Sequence, residues 1–148
     1  MTDAALQPPP LPDRPLRGLI LFGHGARDPR WAEPFERLAE QMRARQAQAA
    51  TEAGDGPGDG PVSLAFLELM TPDLATAVGD QVSAGCRVIT VVPVFFGRGA
   101  HLRRDFPALL DACRANHPNI EIRSAEAVGE DESVLQAVGA YALRQWQA

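Results

Sequence analysis

At 148 residues the chain has room for one domain with a substantial core. Hydrophobic residues make up 45% and charged ones 22%, ordinary globular usage that sets aside collagen-like, wholly disordered and membrane-embedded classes. The net charge is −5 and all 14 basic residues are arginine, so lysine Schiff-base chemistry and a P-loop lysine are excluded; broad nucleic-acid binding is disfavoured, while a local arginine cluster still suits a small anion.

Residues 1–16 are proline-rich, carry Asp3 and Asp13, and lack the apolar core of a signal peptide, so they read as a tail outside a folded domain of 17–148. No apolar run reaches the ~18 residues of a spanning helix, and a cytoplasmic protein with no membrane partner is expected. Cys86 and Cys113 lack CxxC spacing and read as small buried hydrophobes rather than a disulfide or metal pair.

Along the chain, apolar runs alternate with helix-like stretches. Residues 17–22 suit a buried strand running into the Gly23-His24-Gly25 turn, and 30–50 a helix with Phe35, Leu38 and Met42 at helical spacing. Residues 54–61, nearly all Gly, Asp and Pro, read as a flexible surface loop; two aspartates and the lack of a following helix argue against a phosphate cradle. A second strand follows at 62–67, then a helix with Pro72 in its first turn, closed by Gly85. Residues 87–95 are the most β-branched and apolar stretch, as a central strand requires, and 102–116 follow as a helix. Residues 119–124 alternate as an edge strand does, and a last helix covers 131–146. This βα alternation predicts an α/β fold: an open four-stranded parallel sheet of order 2-1-3-4, with helices on both faces.

Ligands of open parallel sheets bind beyond the carboxyl ends of the strands. His24, Arg27 and Asp28 follow the first strand, Glu68 the second, and Arg98 and His101 the third. Two imidazoles and a carboxylate from three strand ends suit an open site for a borderline divalent metal. Each also has a plainer reading: His24 as a turn residue between glycines, Glu68 as an exposed carboxylate, His101 as a surface residue at a helix start. His117, before Pro118 at a helix end, reads as exposed or as a C-cap. Arg27, Arg30, Arg98, Arg103 and Arg104 flank the same rim, where arginine forks would pair with a ligand rich in carboxylates; a solvated face is the alternative.

The stretches Leu19–Pro29 (LILFGHGARDP), Ala65–Glu68 (AFLE) and Val92–Pro107 (VPVFFGRGAHLRRDFP) resemble, in this order, the short form of the sirohydrochlorin chelatase family, known as CbiX or SirB. The resemblance covers about residues 17–143. It implies insertion of Co²⁺ or Fe²⁺, or Ni²⁺, into sirohydrochlorin or a related tetrapyrrole, with the metal entering as substrate and no organic cofactor. It implies that His24 and His101 handle the metal with Glu68 as acidic partner, and that Arg27, Arg98 and Arg103 meet the ring carboxylates. It implies homodimers in which each copy supplies one lobe of the cleft. Apolar residues of 64–70 and 94–96 extend past the strand ends and are candidates to face either the ring or the partner, a buried role within the chain being the alternative. Ala26 stands where a serine is common, the loop at 54–60 looks like an insertion, and the tail has no counterpart. Two rivals remain at this point: a non-catalytic metal or tetrapyrrole carrier with the same ligands, and a phosphoryl-transfer enzyme using His24, against which Gly23 stands where an arginine is usual.

Overall fold

The run RVITVVP is apolar enough to be buried from both sides, and it occupies the interior of the sheet. In the computed structural model, which describes residues 15–51, 60–97 and 99–148, Cys86–Pro93 (β3) pairs in parallel with Leu16–Gly23 (β1) on one side and Glu121–Ser124 (β4) on the other. Val62–Phe66 (β2) pairs with the far side of β1, giving the order β2-β1-β3-β4, all parallel. Val91 is fully buried, as an interior strand demands. The helices are Glu33–Thr51 (α1), Leu74–Ser83 (α2), Ala100–Asn116 (α3) and Glu132–Gln147 (α4). Short 3₁₀ turns at Pro29–Ala32 and Val128–Glu130 precede α1 and α4.

Two unequal cores result. On one face α2 and α3 cover the sheet, with Leu74, Ala77, Val78, Leu102, Phe106 and Leu110 packed on Ile20, Phe22, Ile89 and Val91. The Phe22 ring stacks on Phe106 at 5.2 Å and meets Phe95 edge-on at 5.8 Å, which ties β1 to α3 and to the chain leaving β3. On the other face α1 covers β1 and β2 through Ala39 and Met42, against Leu21 and Val62. Gln81, a fully buried polar side chain of α2, donates from Nε2 to the carbonyls of Leu19 and Pro61 and to Ser63 Oγ, pinning β1 and β2 at once. Gly18 makes room for it, since a Cβ there would lie 2.1 Å from Gln81 Oε1.

Two expectations are corrected. Pro72 stands before α2, not in its first turn: Asp73 is the N-cap, accepting from the Thr76 N–H at 2.8 Å, and the Pro72 carbonyl accepts instead from the Phe66 N–H. That bonding holds the Asp73 carboxyl below its usual pKa. The loop reading of 54–61 fails at its end, because Gly60 is buried and donates to the Arg17 carbonyl, with a Cβ position only 2.2 Å from that oxygen; residues 54–59, like the tail at 1–14, lie outside the described residues. The last helix forms as expected, none of its residues is buried, and it packs on the turn that precedes it. Cys86 and Cys113 are both buried, as expected of small hydrophobes.

Candidate functional site

β1 ends at Gly23, which is buried because the Phe35 ring lies 3.1 Å from where its Cβ would be. His24 emerges beyond it at the carboxyl rim of the sheet. Past the formal end of β2 the ladder to β1 continues: the Leu67 N–H donates to the Gly23 carbonyl at 2.9 Å and the Glu68 N–H to the His24 carbonyl at 3.1 Å. These bonds bring Glu68 Oε1 to 3.1 Å from His24 Nε2. The turn that permits it runs through Gly25 at φ +93°, where a Cβ would lie 1.8 Å from the Glu68 carbonyl oxygen, so only glycine fits. The His24 and Glu68 side chains are 46% and 54% exposed. A pair so wet contributes little to stability, ~0–1 kcal/mol. Both groups are therefore free to trade their mutual contact for a cation held between them.

The other candidates divide. His101 lies in the first turn of α3, at the same rim because α3 follows β3, but its side chain lies outside what is described, as does Arg98 altogether. Among the described residues no group of three His, Cys, Asp or Glu side chains could hold a metal; of the three residues expected to do so, His24 and Glu68 are the two whose side chains are described, and they are in contact. Arg103 is exposed, with its N–H in the first helical bond to the Gly99 carbonyl. Arg27 is exposed and, with Ala26, Leu69 and Met70, lines a groove of about 610 Å³ that runs from the rim beside β2. Arg30 forks onto Asp28, Nε donating to both carboxylate oxygens and a terminal nitrogen to Oδ2, while its backbone N–H donates to Oδ1. Its hydrogen bonds hold the Asp28 carboxyl below its usual range. Asp28 and Arg30 thus serve the turn into α1 rather than a ligand. His117 is the C-cap of α3, as its position before Pro118 suggested.

Sequence reading missed the backbone at Leu69, and it gave Leu69 and Phe96 only as members of the apolar stretches that could face the ring or the partner. Leu69, next to Glu68, takes a left-handed backbone at φ +64° and is exposed, and Phe96, leaving β3, is exposed as well. No residue type in the sequence marks Leu69 as left-handed. At Phe96 the one signal is Gly129, whose Cβ would lie 1.8 Å from the Phe96 carbonyl oxygen.

The CbiX family model matches residues 18–144. The chain belongs to the CbiX family. Among relatives, the chain is 33% identical over 102 residues to the sirohydrochlorin cobaltochelatase of Methanocaldococcus jannaschii, covering 69% of this chain and 64% of that one, just under two-thirds of its length. Among solved structures it is similar to a putative cobalamin biosynthesis CbiX protein from Marinobacter aquaeolei, at 32% identity and TM-score 0.68, covering 88% of this chain and 98% of that one. It is similar too to the sirohydrochlorin chelatase SirB of Bacillus subtilis in complex with cobalt, at 26% identity and TM-score 0.58, and to SirB with Fe³⁺, at 25% and 0.65. Each SirB match covers 84% of this chain but only 49% and 45% of the SirB chains.

Replacing Gly25 tests whether the turn sets the site. Gly25→Ala must displace the Glu68 carbonyl and strain φ, at ~1–3 kcal/mol, and Co²⁺ affinity measured by titration calorimetry should fall at least ~10-fold, which is 1.4 kcal/mol. Co²⁺ binding equal to that of the unaltered chain would show that the turn does not position the pair.

Proposed function

We propose that the chain is a chelatase that inserts Co²⁺ or Fe²⁺, with Ni²⁺ as a further candidate, into sirohydrochlorin or a closely related tetrapyrrole. The observation that carries this reading is the His24–Glu68 pair, 3.1 Å apart at the strand ends of a CbiX-family fold. Metallation exchanges two pyrrole N–H protons for one M²⁺, so the site needs ligands that release the metal and a base that receives protons. Neutral imidazole and carboxylate are such ligands for a borderline cation. In this reading His24, joined by His101 from α3, presents the metal to the ring, and Glu68 takes one of the two protons as the metal leaves it. The second proton passes to water at the open rim. Arg27, Arg98 and Arg103 would hold ring carboxylates, and that binding energy would help distort the ring so its nitrogen lone pairs face the metal. No helix among the described residues is long and apolar enough to cross a membrane; a cytoplasmic setting belongs to the same proposal.

The direct test is anaerobic incubation of the pure chain with sirohydrochlorin and each metal, followed by absorbance. The unaltered chain should turn over; His24→Ala and His101→Ala should each abolish metallation while keeping the fold; His117→Ala should be silent. Full activity in either of the first two variants contradicts the mechanism, and stoichiometric binding without turnover would make the chain a carrier.

Pairing with a second copy belongs to the same proposal. A flat macrocycle needs walls on both sides to exclude water, and one rim of strand ends supplies one. Two observations support a second copy as the other. The exposed helix α4 carries Leu135, Val138, Tyr141 and Trp146 along one stripe, with Trp146 84% exposed. With ~150–250 Å² buried per aromatic side chain, that stripe goes far towards the ~800 Å² per partner of a standard interface. The SirB chains are about twice as long as the stretch this chain matches, which leaves room in them for a second lobe of similar size. Sedimentation at micromolar concentration should give roughly twice 15.9 kDa, and Trp146→Glu should shift it towards the monomer. A strictly monomeric, fully active chain would refute the shared cleft.

A further inference from the structure

The rim holds more than the ionisable pair. The chain leaving β2 and the chain leaving β3 run on either side of the His24–Gly25 turn, because both ladders to β1 extend beyond the strands: Glu68 N–H to His24 carbonyl on one side, Val94 N–H to Phe22 carbonyl on the other. With neighbouring strands ~4.8 Å apart, the flanks stand ~10 Å apart across β1. Each flank then presents a large apolar side chain to solvent, Leu69 at 59% and Phe96 at 63% exposure.

Neither is exposed for want of a support. The backbone before Leu69 is locked by the Gly25 turn and the bond from Phe66 to Pro72. Phe96 is gripped by the turn before α4, where the Gly129 N–H donates to the Phe95 carbonyl at 2.9 Å and Gly129 packs against the Phe96 carbonyl. Leu69 is also costly where it stands, since φ +64° suits glycine or asparagine and strains leucine. Burial within the chain does not offset that strain, which points to a contact made with something else.

We propose that Leu69 and Phe96 are specificity-determining residues, a pair of apolar supports that hold one face of a flat macrocycle over His24 and Glu68. This rests on the chelatase reading and names the ring contacts within it. The rim then matches such a ligand zone by zone: a metal-handling centre under the ring nitrogens, apolar flanks against the same face, and Arg27 beyond Leu69 for a peripheral carboxylate. Leu69 and Phe96 face the ring, not the second copy.

The test is equilibrium binding of metal-free sirohydrochlorin to the full chain, read by absorbance, for Leu69→Asn, Phe96→Ala and, as a control on α4, Leu143→Ala. Asparagine keeps the left-handed backbone and removes the apolar side chain. Leu69→Asn and Phe96→Ala should each weaken ring binding ~10-fold, the loss expected for uncovering one large apolar side chain. Co²⁺ affinity and sedimentation should stay unchanged, KM should rise more than kcat falls, and Leu143→Ala should bind as the unaltered chain does. Ring binding unchanged in both rim variants overturns the proposal. So does an equal loss of Co²⁺ affinity, or a loss of pairing that tracks the loss of ring binding. An unaltered chain that binds no sirohydrochlorin overturns the chelatase reading first, and this inference with it.

Discussion

Everything at the rim depends on two backbone hydrogen bonds made after β2 has formally ended. Leu67 to Gly23 and Glu68 to His24 extend the parallel ladder by two residues, and they place a carboxylate and an imidazole from distant parts of the chain in contact. The bonds exist only if the His24 turn can pass beneath the Glu68 carbonyl, which is the reason for glycine at position 25. The consequences spread outward. Glu68 fixed by its backbone forces Leu69 into its left-handed conformation at the rim, and the chain returns through Pro72 to cap α2 with Asp73.

Below the rim, the sheet supplies rigidity rather than chemistry. Phe22, fully buried beneath the site, stacks on Phe106 and so fixes where α3 begins, and hence where His101 enters the fold. Burial of such a ring contributes ~1.5–3 kcal/mol. Gln81 performs a comparable service at the other end of the sheet, joining β1 and β2 from the α2 side with three donated bonds. The site residues themselves are half exposed and add little to stability, which leaves them free to exchange partners during a reaction.

Much of this was legible in the residues. The alternation of apolar runs and helical stretches gave the strand order, and the apolar density of 87–95 placed β3 in the interior, because parallel sheets select strands buried on both faces. Glu68 and His24 were legible as strand-end residues. Other features arise from contacts between distant segments and leave no local pattern. The left-handed backbone at Leu69 follows from the ladder beside it. The pairing of Arg30 with Asp28 removes an arginine that charge spacing had counted towards a ligand. A last helix over 131–146 was expected and forms, but a helix read from sequence does not say which element, if any, of its own chain covers it.

The central claim is that His24 and Glu68 exchange their mutual hydrogen bond for a metal ion and pass that ion on. X-ray absorption of the Co²⁺-loaded full chain tests it most directly. The account predicts imidazole scattering in the first coordination shell together with carboxylate oxygen, with the imidazole contribution reduced in His24→Ala and the oxygen contribution reduced in Glu68→Ala. A cobalt shell of water alone, or one unchanged by both substitutions, would contradict it.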